Sequence, residues 1–255
     1  MQIRLSAVII TFNEEHNIGR CLESLRGVAD EIVVVDSFSK DRTEEICRSF
    51  GVKWVQHAFE GHIQQKNWAI TQASHPHVLS LDADEALDET LRKSIVEVKQ
   101  NWVADGYSMN RLTNYCGSWI RHSGWYPDVK LRLWDSRKGQ WTGRNPHDRY
   151  ELQPGCSTQH LAGDILHYSY YTVVEHWKQL DYFSTISAKA MLEEGKRATW
   201  LDAVVHAGWK YFRALVLKTA FLDGWAGWKI ARLSSIEVWR KYRKLSAMQK
   251  ANPKP

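Results

Sequence analysis

The sequence predicts an α/β fold: a mostly parallel sheet with helices on both faces, followed by a helical C-terminal extension. Three observations carry this. Strand-like and helix-like runs alternate through the first hundred residues, the pattern of a parallel sheet with right-handed crossovers. The strand-like runs are almost wholly apolar, as in strands covered on both faces. From Tyr171 onward the apolar residues recur at helical spacing instead. We divide the chain accordingly into a sheet domain, 1–170, and a helical extension, 171–255.

Leu5 to Thr11 is rich in β-branched residues and reads as the first buried strand. Phe12-Asn13-Glu14-Glu15 follows, and Asn13 is placed to cap a helix whose apolar stripe is Ile18, Cys21, Leu22 and Leu25. Glu31 to Asp36 is a second buried strand that ends in an acid. After a polar loop, Ser37 to Thr43, come a short helix from Glu44 to Phe50 and a strand from Val52 to Gln56. His62 to Ser74 has helical spacing through Ile63, Trp68, Ala69 and Ala73. Asp88 is placed to cap a helix that runs through Lys99.

Between these two helices lies Val78-Leu79-Ser80-Leu81-Asp82-Ala83-Asp84-Glu85. A buried strand that ends in carboxylates is costly unless something positive binds there. Asp82 and Asp84 are two residues apart, so on an extended chain they point the same way. Two hard oxygen ligands on one side suit Mg²⁺ or Mn²⁺ shared with a phosphate. A strand running into a solvated turn would carry the same acids. Convergence favours the metal reading: Thr11 to Glu14, Asp36 and Asp82/Asp84 all fall at carboxyl ends of strands, where open α/β sheets bind ligands. No G-x-G-x-x-G follows the first strand, and no G-x-x-x-x-G-K-[ST] occurs anywhere. These absences argue against a dinucleotide dehydrogenase and a P-loop enzyme.

From Gly106 to His167, short strand-like runs (Tyr107 to Leu112, Lys130 to Trp134) alternate with Gly, Pro, Asn and Trp. This predicts loops and antiparallel strands closing over one end of the sheet. Gly124-Trp125-Tyr126-Pro127-Asp128 and Gly143-Arg144-Asn145-Pro146-His147-Asp148 stand out. Aromatics beside carboxylates suit a sugar, whose ring faces stack while its hydroxyls hydrogen-bond; ordinary core packing is the competing reading for each tryptophan. The spacing of His147, His160 and His167 matches no metal-ligand pattern.

Val174, Trp177, Leu180, Phe183 and Ile186 repeat at helical spacing. After a break at Gly195, helices are expected over Val204 to Phe221 and Ile230 to Leu245. Val205, Trp209, Phe212 and Val216 share one stripe, with Lys210, Arg213 and Lys218 away from it. From Ala203 to the end there are eleven Lys/Arg against two Asp/Glu, a local charge of +9. The whole chain carries +5, so the remainder carries −4 and the basic character belongs to the tail. A basic, Trp-rich amphipathic helix can lie in the interface of an anionic leaflet; packing on the domain is the alternative. No nucleic-acid-binding motif is present.

Cys21, Cys47, Cys116 and Cys156 are scattered with no C-x-x-C pair, which fits a reducing compartment. Met1 to Leu5 runs straight into a strand, so no signal peptide is expected. No apolar run approaches the roughly 20 residues needed to span a bilayer.

The ordered set Val8 to Glu15, Asp36-Ser37 with Asp41-Arg42-Thr43, and Asp82-Ala83-Asp84-Glu85 resembles the family 2 glycosyltransferases of GT-A (Rossmann-like) fold. Beyond it, Gly124 to Pro127, Lys130 to Trp134, His147-Asp148 and Phe221 to Gly224 are similar to bacterial lipopolysaccharide core β-1,4-glucosyltransferases. The resemblance implies a UDP-sugar donor, Mg²⁺ or Mn²⁺, and an inner-core heptose as acceptor. With the basic tail and the scattered cysteines, the expectation is a cytoplasmic enzyme, peripheral on the inner face of the plasma membrane. Carried over, Thr11, Asn13 and Glu14 would contact the nucleoside and Asp36 the uracil. Lys66 would sit near the base or diphosphate, Asp82 would face ribose and metal, and Asp84 would ligate the metal. The catalytic base is sought at the family's His-Glu position, which here reads His147-Asp148, with Asp128 in reserve. Phe38 stands where a glycine is common and is expected to narrow the nucleoside pocket.

The expected activity is inverting transfer of a single sugar, since the Gln-x-x-Arg-Trp signature of processive synthases and membrane spans are both missing. The alternatives are a transferase of another cell-surface glycan and a non-catalytic nucleotide-sugar or membrane-binding scaffold. A sugar nucleotidyltransferase is disfavoured, because those enzymes carry a glycine-rich basic loop where this chain has Phe12-Asn13-Glu14-Glu15.

Overall fold

The computed structural model describes residues 2–144 and 147–251, with backbone alone for Arg144 and His147. The chain forms two compact units, one of residues 1–111 and 128–168, the other of residues 112–127 and 169–255.

The first unit is built on strands β1 (Leu5–Thr11), β2 (Glu31–Asp36), β3 (Lys53–Gln56) and β4 (His77–Asp82), all parallel in the order β3-β2-β1-β4. The sheet is mixed beyond β4. There β8 (Asp128–Asp135), β6 (Gly106–Tyr115), β11 (Thr158–Tyr170) and β5 (Glu85–Leu87) follow, and β8 runs antiparallel to both β4 and β6. The antiparallel strands expected over Tyr107 to Leu112 and Lys130 to Trp134 are therefore β6 and β8 of the same sheet, rather than a layer closing over its end.

Both faces are covered, as the apolar strands require. Leu5, Ala7, Ile9, Leu79 and Leu81 pack with Ile18 and Leu22 of α1 (Ile18–Ser24), Cys47 of α2 (Thr43–Ser49) and Leu91 and Ile95 of α4 (Glu89–Gln100). Val8, Val33, Val35 and Val78 pack on the other side with Ala69 of α3 (His62–Ile70) and with Trp134, Trp141 and Tyr150. Each fully buried Leu or Ile contributes about 2 kcal/mol of transfer free energy. The Asp88 side chain caps α4, accepting from Leu91 N–H at 2.7 Å.

Two local expectations are corrected. Asn13 caps no helix: α1 begins after Asn17, and Asn13 sits at φ +54°. Its N–H donates to Ser39 Oγ and its Oδ1 accepts from Lys40 N–H, each at 2.8 Å, so it fastens a loop instead. Nor do Asp82 and Asp84 share an extended strand. β4 ends at Asp82, Ala83-Asp84 is a turn, and Glu85 closes it by accepting from Asp82 N–H at 3.0 Å.

In the second unit, the end of β6 pairs with β7 (Ser118–Ile120). The helices are α5 (Val173–Glu193), α6 (Trp200–Phe212) and α7 (Gly224–Ala251). The single helix expected over Val204 to Phe221 is instead α6, a π turn (Arg213–Leu217) and a 3-10 turn (Ala220–Asp223). Thr219 at φ +48° breaks the run. The 3-10 turn then lies against α7 so closely that a Cβ on Gly227 would sit 1.7 Å from the Ala220 carbonyl oxygen.

Candidate active site

Strand register gathers the polar strand ends in the first unit. Thr11 pairs with Asp36 across β1 and β2, and Ile10 pairs with Asp82 across β1 and β4. A cleft of ≈ 420 Å³ opens beside this edge, and its wall includes Lys66, Asp82, Arg111, Arg132, Trp141 and Asp148.

The cleft is organised by ion pairs. Lys66, buried on α3, donates to Asp82 Oδ1 at 2.9 Å and to Asp148 Oδ2 at 2.8 Å. Arg132, buried on β8, donates through Nη2 to Asp82 Oδ2 at 3.0 Å and to Glu85 Oε1 at 2.9 Å. Arg111 reaches the same Glu85 oxygen at 3.3 Å and Asp128 Oδ2 at 2.8 Å, and Lys130 closes the series on Asp128 Oδ1 at 2.9 Å. Lys66 and Arg132 both lie over the Trp141 ring, at 4.5 and 5.6 Å from its centroid. Burial works to raise the Asp82 pKa, but Lys66 and Arg132 outweigh it and hold the carboxyl well below the usual range.

Asp148 arrives on a hairpin of β9 (Gly139–Arg144) and β10 (His147–Leu152). Asn67 on α3 anchors that hairpin, exchanging two 2.9 Å hydrogen bonds with the Trp141 backbone. Asn145, Pro146 and the side chains of Arg144 and His147 in the singled-out Gly143-to-Asp148 stretch lie outside the described residues. Asp128 does not line the cleft and is held by Arg111 and Lys130. Burial raises its pKa, yet these two cations bring it below the ordinary value.

Asp84 points elsewhere. Its Oδ2 lies 3.2 Å from His167 Nε2, because β11 pairs antiparallel with β5 and sets His167 opposite Glu85. Among the described residues no group of three or more His, Cys, Asp or Glu could hold a metal. Asp84 and His167 do fit Mg²⁺ or Mn²⁺ as two protein ligands, with substrate oxygens and water completing the shell. Both Asp82 oxygens are engaged, so a ligand role for Asp82 requires one ion pair to open.

Asp36 is wholly buried. It accepts from Ser39 N–H at 2.9 Å, from the Ser39 hydroxyl, and from Gln56 Nε2 at 3.3 Å. Contact with a uracil therefore requires the Ser39 loop to shift. The Thr11 hydroxyl is buried without a partner among the described residues, as an atom awaiting a ligand would be. Glu14 accepts from Asn17 Nδ2 at 2.7 Å. Burial foremost raises its pKa, with Asp84, Asp41 and Asp82 adding to the rise. Phe38 is 51% exposed and sits at φ +63°. A glycine at this position would adopt that backbone conformation without strain.

The aromatics of the middle region are mostly core. Trp134 and Tyr150 stack at 3.7 Å, and Trp125 packs with Tyr115 and Tyr170 in the second unit. Sequence reading missed Arg111, Arg132 and Trp141 and set His167 aside. Arg132 left a signal: a cation between Leu131 and Leu133 on a buried strand needs a carboxylate partner.

The family model described as glycosyl transferase family 2 matches residues 6–160. The lipopolysaccharide core biosynthesis glycosyltransferase LpsC of Rhizobium meliloti is 27% identical over 256 residues, covering 94% of each chain. An uncharacterized glycosyltransferase of Rickettsia bellii is 26% identical over 98% of this chain and 89% of its own. Among solved structures, S. aureus TarS 1-349 in complex with UDP superposes with a TM-score of 0.46 and 14% identity over 98% of this chain and 92% of that one. The sheet of the first unit has the α/β plan expected from the sequence, parallel through β4 and mixed beyond it.

Proposed function

We propose, from the premise that the chain belongs to glycosyl transferase family 2, that it moves a single hexose, glucose from UDP-glucose, onto an inner-core heptose of lipopolysaccharide with inversion. The similarity to LpsC along nearly the whole chain supports the acceptor class. The observation that carries the chemistry is Lys66 bridging Asp82 and Asp148 in one cleft. A membrane-anchored acceptor goes with a location on the inner face of the plasma membrane.

In this reading Asp148 takes the proton of the acceptor hydroxyl as its oxygen attacks the anomeric carbon. One carboxylate suffices, because inversion needs a base on the face opposite the leaving group. Lys66 aims that carboxylate. Asp82, fixed by Lys66 and Arg132, faces the ribose. Thr11, Asn13, Glu14 and Asp36 border the nucleoside. Asp84 and His167 would hold Mg²⁺ or Mn²⁺, which when bound would supply charge neutralisation to the departing diphosphate.

A thermal-shift and slow-hydrolysis panel of nucleotide sugars, with Mg²⁺, Mn²⁺ or EDTA, tests this. Metal-dependent stabilisation by UDP-glucose above other donors is expected. Asp148→Asn should keep donor affinity and lose transfer; if Asp128→Asn does so instead, the base is reassigned. Donor binding with no turnover on any core oligosaccharide would leave the scaffold alternative.

A further inference from the structure

The second unit carries a large uncovered apolar surface. Trp209, Phe212, Phe221, Leu222, Trp225 and Trp228 are each 46 to 60% exposed, all within residues 209–228. α6 and the turns after it pack on α7 through small residues: Ala207 on α6 accepts from Ser235 Oγ at 2.8 Å, and Ala214 and Ala220 in the two turns meet Ala231. On a helix, positions 209 and 212 fall on the side opposite 207. The two rings therefore face away from α7, 5.8 Å apart. Each of the five aromatic side chains offers roughly 150–250 Å², so about half of that area exposed amounts to on the order of 500 Å². That is at the upper end of what a monomer leaves uncovered.

Charge says what covers it. Lys210, Arg213, Lys218, Lys229 and Arg232 belong to the same segment, and Lys229 Nζ lies 5.4 Å from the Trp225 ring centroid. The one carboxylate in residues 203–232 is Asp223. It is buried and accepts from the N–H groups of Arg121 and His122 at 3.0 and 2.9 Å and from Ser123 Oγ at 3.2 Å. A second copy of this face would bring ten cations together with no free acid. An anionic bilayer offers what both parts require: an apolar interior for the rings, a headgroup zone that Trp favours, and negative charge for the flanking lysines and arginines. Among the described residues no helix is long and apolar enough to cross a membrane, so the surface lies on the bilayer.

We propose that this end of the helical unit, from Trp209 on α6 to Trp228 on α7, is a membrane-seating surface for an anionic leaflet. The proposal rests on the membrane-surface part of the functional reading and adds which residues enter the lipid. The rest of α7 is excluded, since it packs on α5 through Leu245 with Ala188 and through Lys244 on Asp181 at 2.8 Å.

The test is sedimentation of the full chain with vesicles of phosphatidylcholine alone or mixed with phosphatidylglycerol. Binding to the mixed vesicles should exceed binding to the neutral ones by about tenfold. The double variant Trp209→Ser/Trp225→Ser should lose about tenfold in partitioning while keeping the wild-type Tm and donor-induced shift. Trp239→Ser, an exposed tryptophan of α7 outside this surface, should change nothing. Wild-type binding that the double variant retains in full would overturn the surface and leave the membrane location standing. No vesicle binding by the wild type, with a dimer that the double variant makes monomeric, would overturn both. The donor-binding panel is independent of either result.

Discussion

Lys66 Nζ lies 2.8 Å from Asp148 Oδ2, joining α3 to β10 across 82 residues of chain. The same nitrogen reaches Asp82 at the end of β4. One buried cation in the cleft wall thus sets the separation of two carboxylates that would otherwise repel. Removing one partner of a buried ion pair costs about 3–5 kcal/mol, because the charge left behind is uncompensated. Lys66→Met should therefore lower stability by about 3 kcal/mol in urea unfolding and abolish transfer. Lys66→Arg should keep most of the stability and lose most of the rate, since a planar guanidinium fork cannot reproduce the single point at which the ammonium meets both acids. Full activity in the Met variant would show that the pairing is incidental.

The pairing of Asp84 with His167 makes a distinct prediction. Asp84→Asn and His167→Gln should each weaken the metal-dependent part of donor stabilisation by about tenfold or more. The thermal shift that remains in EDTA should be unaffected. His167→Gln indistinguishable from wild type at all metal concentrations would remove His167 from the metal shell.

Acid stability should report on Asp82. Its folded pKa is depressed, so its contribution is fully present above the unfolded value, about 3.9, and is lost as pH falls through the lower folded value. Asp82→Asn should be less stable than wild type at pH 7, because Lys66 and Arg132 lose their shared partner. Its stability should then fall less steeply with acid below about pH 4, narrowing the gap. Parallel curves for the two proteins between pH 2 and about pH 4 would contradict the assignment.

Phe38 holds a left-handed backbone that costs a side-chain-bearing residue about 1–2 kcal/mol. Glycine relieves that cost but gives the unfolded chain roughly 0.4–1 kcal/mol of added freedom. Phe38→Gly should therefore raise stability by up to about 1 kcal/mol, a Tm gain of about 2–4 °C. A loss of that size would mean that the half-exposed ring makes contacts worth more than the strain.

The sequence by itself determined the parallel half of the sheet, the helices that cover it and the polar edge where Thr11, Asp36 and Asp82 end their strands. These follow from local periodicity, and each strand or helix announces itself within a dozen residues. It also determined the family, because short motifs in order along the chain survive without coordinates. The tertiary structure alone decided which charges meet. Lys66, Asp82, Glu85, Arg111, Arg132 and Asp148 come from α3, β4, β5, β6, β8 and β10, and only sheet order and register bring them together. It likewise turned Asp84 from Asp82 toward His167, since a two-residue turn replaces the extended chain that alternation assumes. The apolar stripe of α6 was legible as a stripe. That it faces away from α7 was not, because a hydrophobic period marks a face and not what lies against it.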